Sequence, residues 1–248
     1  MNTFTLVQLY PDELGVAGDR GNVLAVTARL ASAGLDCDVI EVHHGDALPA
    51  SADIVIIGGG PLSALRRIHA DLLAHGDTLR SWAADGVVFF AYGTGAEVLG
   101  RGIHSVEGEH IEGVAIFPLA VRRVQARKVG YVIAEVQGER IVGFEDNASE
   151  WTLDVGATPF ARVTTSSSGT GSQAAAGSDG VRVGSSVATL LGGPLLPLNP
   201  CVTLALIESA VIRRGEQFSP PAAGELDRYA ARARAVMEQN STHVFSRI

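Results

Sequence analysis

Cysteine is nearly missing from this chain of 248 residues: there are two, Cys37 and Cys201. Two cysteines so far apart give neither a disulfide framework nor a CxxC metal spacing. Basic residues are outnumbered, 19 Lys and Arg against 27 Asp and Glu, leaving a formal charge of −8. That balance argues against a nucleic-acid binder, whose phosphate-facing surface must be basic. No apolar run approaches the roughly 20 residues that span a bilayer. The opening "MNTFTLVQLYPDE" lacks the basic start and apolar stretch of a secretory signal, so a cytosolic protein is the expectation. GxGxxG is absent, and no GK[ST] follows the one glycine triplet, which excludes the dinucleotide and P-loop fingerprints. No cofactor and no metal are expected.

What is present is alternation. "FTLVQLY" (4–10), "CDVIEV" (37–42), "ADIVIIGGG" (52–60) and "GVVFFAY" (86–92) read as strands. Helical patterns separate them, from Asn22 to about Ala33 and from about Ser63 to Ala84. Strands alternating with helices imply βαβ units, a mainly parallel sheet covered on both faces, and right-handed crossovers. The expected fold is α/β: a flavodoxin-like, doubly wound sheet. The second half differs. "KVGYVIAEVQGERIVGFED" (128–146) reads as a hairpin turning at "QGER". "RVTTSSSGTGSQAAAGSDG" (162–180) is too poor in apolar residues to offset its ordering entropy, and a mobile loop is expected at about 164–179. "VRVGSSVATLLGGPLLPLNP" (181–200) returns to strand and stops at a Gly-Pro corner. An apolar helix over Cys201–Arg213 follows. A last amphipathic helix is expected over 222–239, with Leu226, Tyr229, Ala233 and Met237 on one side. The division is thus a main domain over 1–215 and a C-terminal extension over 216–248.

Four segments carry candidate chemistry. Gly58, Gly59 and Gly60 end a buried strand; they suit either close backbone approach to a ligand or a tight βα turn. "AYGTG" (91–95) has the small residues of a nucleophile elbow, the turn that presents an attacking side chain above a sheet, but its central residue is Gly93. Thr94, one place on, is the one aliphatic hydroxyl there, and an elbow presents one position, not its neighbour. Arg127 and Lys128 precede a strand; a guanidinium suits a carboxylate, although a solvated basic pair is the blander account. "TLLGGPLLPLNP" (189–200) ends a strand where a base would be useful and contains no histidine. Of the seven histidines, His43 and His44 lie on the edge where open α/β sheets bind ligands. Cys201 starts an apolar helix, where burial is the usual state of a lone thiol.

Together these segments resemble the class I glutamine amidotransferases of the cobyric-acid-synthase (CobB/CobQ) type, and within them the glutaminase subunits of lipid II isoglutaminyl synthases. The likeness rests on "LYPDELGVAGDRGN", "DIVIIGGGP", "GFED" and "GPLLPLNP" in matching order over about residues 5–210. It implies a glutamine-hydrolysing subunit paired with a Mur-ligase-like subunit, in which a cysteine attacks glutamine, a histidine relays protons and ammonia passes to the ligase. By the same likeness the cysteine falls on Gly93 and the histidine on Gly192. Further departures are Gly95, Ala96, Glu97 for Gly-Tyr-Gln, Pro61 and Leu62 after the triplet, and Asp146, Asn147 after Gly-Phe-Glu. Arg127 matches the arginine that grips the glutamine carboxylate. The expectation is a catalytically degenerate subunit, with Gly58, Gly59, Gly60, Thr94 and Arg127 as ligand-facing residues. Two alternatives stand beside it: a binding module for glutamine or another small amino acid or amine, and an active enzyme with relocated groups such as Thr94, His43 or His44.

Overall fold

In the computed structural model, which describes residues 3–166 and 177–241, the first half runs β1 (Phe4–Leu9), α1 (Arg20–Ser32), β2 (Cys37–Val42), β3 (Ile54–Ile57), α2 (Leu62–Ala74), α3 (Gly76–Ala84), β4 (Val88–Tyr92) and α4 (Gly93–Val98). Then come β5 (Gly102–His104), β6 (His110–Glu112), β7 (Leu119–Val136), β8 (Glu139–Leu153), β9 (Ala161–Ser166), β10 (Ser178–Asp179), β11 (Val181–Val183), β12 (Ser186–Thr189) and β13 (Leu191–Gly192). Three helices close the chain: α5 (Leu195–Leu198), α6 (Pro200–Arg213) and α7 (Glu225–Gln239).

The main sheet has the order β11-β12-β4-β3-β1-β2, parallel throughout except for the β11 edge. Alternation along the strands explains its two layers, because successive side chains point to opposite faces. Phe4, Leu6, Ile54, Ile56, Val88 and Phe90 pack with Val26 of α1 and Leu206 of α6. Their neighbours Val7, Leu9, Val55, Ile57, Phe89 and Ala91 pack with Ile68 of α2 and Leu79 of α3. Strands buried on both faces have to be apolar throughout, which is why "IVII" carries no alternation in the sequence.

The rest of the chain builds a second, largely antiparallel sheet that the sequence reading only touched. β7 and β8 extend the expected hairpin to residues 119–153. Its turn is Gln137 and Gly138, both at positive φ, the two-residue geometry whose twist matches the strands. β5, β6, β9 and β10 join β7, and β13 pairs with β8. The expected loop falls largely on residues 167–176, outside those described; its flanks at 164–166 and 178–179 are strand, the first paired with β7 and the second with Ala161 and Arg162 of β9, both antiparallel. The expected helix over 63–84 is two helices, divided at His75–Gly76 where glycine weakens the run. α7 turns the expected face toward α1 but buries little of it: Leu226, Tyr229, Ala230 and Ala233 line the groove between the two helices, where Ala230 is buried and Leu226 and Tyr229 stay exposed. Arg29 ties the helix there through two parallel hydrogen bonds to Asp227 of 3.0 and 2.7 Å.

Candidate functional site

β4 leaves the main sheet at Tyr92, which is still extended, and Gly93 turns the chain into α4 with φ of +54°. This is the left-handed region that few side chains enter without cost. The strand-to-helix corner therefore has an elbow's backbone. Around it lies a cavity of about 510 Å³, bounded by the elbow, the Gly59–Pro61 turn, Val16 and Ala17, the β7–β8 hairpin and Gly193.

The inner wall is a set of linked hydrogen bonds. Thr94 Oγ1 donates to the Gly60 carbonyl at 2.5 Å and accepts from Arg123 Nη2 at 3.0 Å. Arg123 also pairs with Glu97, whose other oxygen accepts from Ser149 Oγ at 2.5 Å and from the Trp151 indole at 3.3 Å. Glu97 is 1% exposed and Arg123 18%, so the charges are largely withdrawn from water and need each other. These bonds direct the Thr94 proton at a carbonyl and its oxygen at a guanidinium. Neither partner can take a proton from the hydroxyl, so the expected weak nucleophile has no base.

The outer rim is looser. Arg127 reaches Asp146 through Nε at 2.6 Å and Nη2 at 2.9 Å, a bidentate pair across the hairpin, with Arg127 65% exposed. The Asp146 carboxylate raises the Arg127 pKa further above its already high ordinary value. Arg123 and Arg127 are four apart on β7 and both line the cavity, although the β7–β8 register breaks between Arg123 and Lys128.

The glycine triplet turns out to approach the protein itself. A side chain at Gly58 would meet the Leu14 carbonyl and stand 2.5 Å from Asp19 Oδ2; at Gly60 it would meet the Glu13 carbonyl; at Gly59 it would stand 2.8 Å from the Tyr92 ring. Gly59 and Gly60 line the cavity, while Gly58 lies beneath it against Asp19. Asp19 is buried and accepts from the Gly59 N–H at 3.1 Å, yet burial pushes its carboxyl up to about 6.

Residues 31–197 match the CobB/CobQ-like glutamine amidotransferase domain. The chain belongs to that family. It is 26% identical over 222 residues to the GatD subunit of lipid II isoglutaminyl synthase (glutamine-hydrolyzing) from Staphylococcus aureus (strain N315), covering 89% of each chain. The fold is that of a solved glutamine amidotransferase, with a TM-score of 0.59 at 20% identity over 82% of this chain and 98% of that one. It is likewise that of the Trypanosoma brucei CTPS glutaminase domain with bound acivicin, with a TM-score of 0.54 at 14% identity over 90% and 99%.

Within this amidotransferase domain the other sequence candidates fall away from the elbow. His43 follows β2, at the sheet edge three strands from β4, and its ring meets Asp12 at 2.9 Å. Neither His43 nor His44 is among the cavity-lining residues, because the edge position carries both outward. Cys201 lines a separate cavity with Val136 and Phe160, where burial raises its thiol pKa. Cys37 borders a groove between α1 and α7, and burial pushes its thiol up to about 11. Lys128 has a buried ammonium with no hydrogen-bond partner among the described residues and does not line the elbow cavity. Sequence reasoning missed Arg123 as a wall residue. Its signal was faint: a second arginine four before Arg127, on the same strand. No helix among the described residues is long and apolar enough to cross a membrane.

Proposed function

We propose that this amidotransferase domain is a degenerate subunit: it does not hydrolyse glutamine, and it serves a Mur-ligase-like, ATP-dependent amide ligase in cell-wall or related amidation. One observation carries the reading. The elbow keeps its backbone, with φ of +54° at the central position, and presents a glycine there. By family resemblance the two reactive positions are Gly93 and Gly192, and neither has a side chain. Loss of a nucleophile or its base costs about a millionfold in a hydrolase template. Oxyanion stabilisation, on the order of hundreds to a thousandfold per donor, acts on a covalent step that has no attacking atom here. Thr94 does not substitute, since its hydroxyl is held between a carbonyl and a guanidinium. A glutamine carboxylate at Arg127 would also have to compete with Asp146.

The partner half of the proposal draws on the GatD relative, which is named as one subunit of a synthase and aligns over 89% of both chains. The experiment is to purify the chain with the Mur-ligase-like protein of its own organism and assay amidation with each nitrogen source. Amidation supported by ammonium and not by glutamine is the expected result. Failure of the two proteins to associate would overturn the partnership.

A further inference from the structure

We infer that the Tyr92 ring holds the volume in which any side chain at position 192 would have to stand, and so excludes a base from this cavity independently of the missing nucleophile. The inference deepens the reading of Gly93 and Gly192 as the two reactive positions and rests on it.

The geometry is asymmetric. A Cβ at Gly192 would lie against Cζ of Tyr92, 2.5 Å from Cε2 and 2.7 Å from Oη. Its three nearest neighbours are all atoms of that one side chain. The backbone at Gly192 does not need glycine: its φ is not among the positive values, unlike Gly193 at +99°. Space alone forbids a side chain there. The Cε1 side of the ring meets Gly59, where a Cβ would lie 2.8 Å from Cε1. Gly59 at the end of β3 and Gly192 in β13 thus flank one aromatic ring, which is 7% exposed and packs with Leu191 and Leu195. The ring also borders the elbow cavity, so a side chain at 192 must first push it out of its buried position. Position 93 is the reverse case. Its φ is unusual, but the nearest atom to an added Cβ is Gly59 Cα at 3.4 Å, an ordinary contact. A thiol fits where the nucleophile belongs; an imidazole does not fit where the base belongs until Tyr92 leaves.

The test titrates an introduced thiol by its alkylation rate against pH. In Gly93→Cys/Gly192→His the ring and the imidazole compete for one space, so the thiol should react with the same pH dependence as in Gly93→Cys alone. Adding Tyr92→Ala should let the imidazole reach the thiol and raise the alkylation rate at pH 6.5 by about tenfold or more. A faster reaction at pH 6.5 than in Gly93→Cys alone, with Tyr92 still present, would overturn the inference, as would no change on removing Tyr92. Stability supplies a second readout should the triple variant fail to fold. Gly192→Ala should lower the melting midpoint by about 5 °C beside Tyr92 and by much less in the Tyr92→Ala or Tyr92→Val background. Equal lowering in both backgrounds would overturn it. Glutamine hydrolysis by the unmodified chain would sink the degenerate-subunit reading and leave these steric outcomes unaffected.

Discussion

Arg123 and Arg127 project from one strand into one cavity, and each pairs with a carboxylate, yet they belong to different kinds of structure. Arg123 and Glu97 are mostly withdrawn from water and tied to Thr94, Ser149 and Trp151. Arg127 and Asp146 form the more regular bidentate pair but sit at the exposed rim. The same chemistry is structural on the inner wall and available on the outer one. Good geometry does not make the rim pair strong, because water and salt screen it. The inner wall therefore fixes the elbow, and the rim pair stays open to solvent.

Three substitutions would sharpen or break that contrast. The largest effect belongs to Arg123→Ala. It strands the Glu97 charge in the interior and should cost about 3–5 kcal/mol in denaturant unfolding; a loss below about 1 kcal/mol would erase the distinction between wall and rim. Next is Asp19, on the inner side beneath the glycine turn. Burial holds its folded carboxyl at about 6 against an ordinary 3.8, so the folded state binds this proton more tightly than the unfolded state. Its contribution to stability is full below about pH 3.8 and is lost as pH rises through about 6. The loss amounts to about 3 kcal/mol. Asp19→Asn keeps an acceptor for the Gly59 N–H and should remove that slope, becoming more stable than the parent at pH 7 but not at pH 4. Parallel stability–pH curves for the two proteins would contradict the assignment. The smallest effect is at the rim. Arg127→Ala should change stability by about 0.2–1 kcal/mol, and the difference should shrink in high salt.

The residues differ in how much of this was legible beforehand. Parallel strands buried on both faces announce themselves as apolar runs between helical patterns, so "IVII" and "VFFAY" could be placed from the sequence, and with them the elbow at Gly93. Thr94, Gly59, Gly60 and Arg127 do line one cavity, because each lies at a strand end or on a hairpin whose turn residues were visible. The Arg123–Glu97 pair was not legible. It joins a helix to a strand 26 residues away, and nothing local distinguishes that arginine from its neighbour Arg122, which instead pairs with Glu150 at the surface. The short strands β5 and β6 were missed for a related reason: three residues give no period to read. On α7 the apolar spacing gave the face that lines the groove against α1, but not the Arg29–Asp227 pair that ties the two helices, since its partners lie 198 residues apart. Tyr92 was in plain view as the residue before the elbow, yet its role depends on two glycines far apart in sequence that close on its ring only in the fold.

Ammonia release from glutamine tests the central claim most directly. The purified chain at saturating glutamine is predicted to produce no ammonia above the uncatalysed background, and Thr94→Ala is predicted to leave that result unchanged. Turnover by the parent chain that disappears in Thr94→Ala would contradict the account.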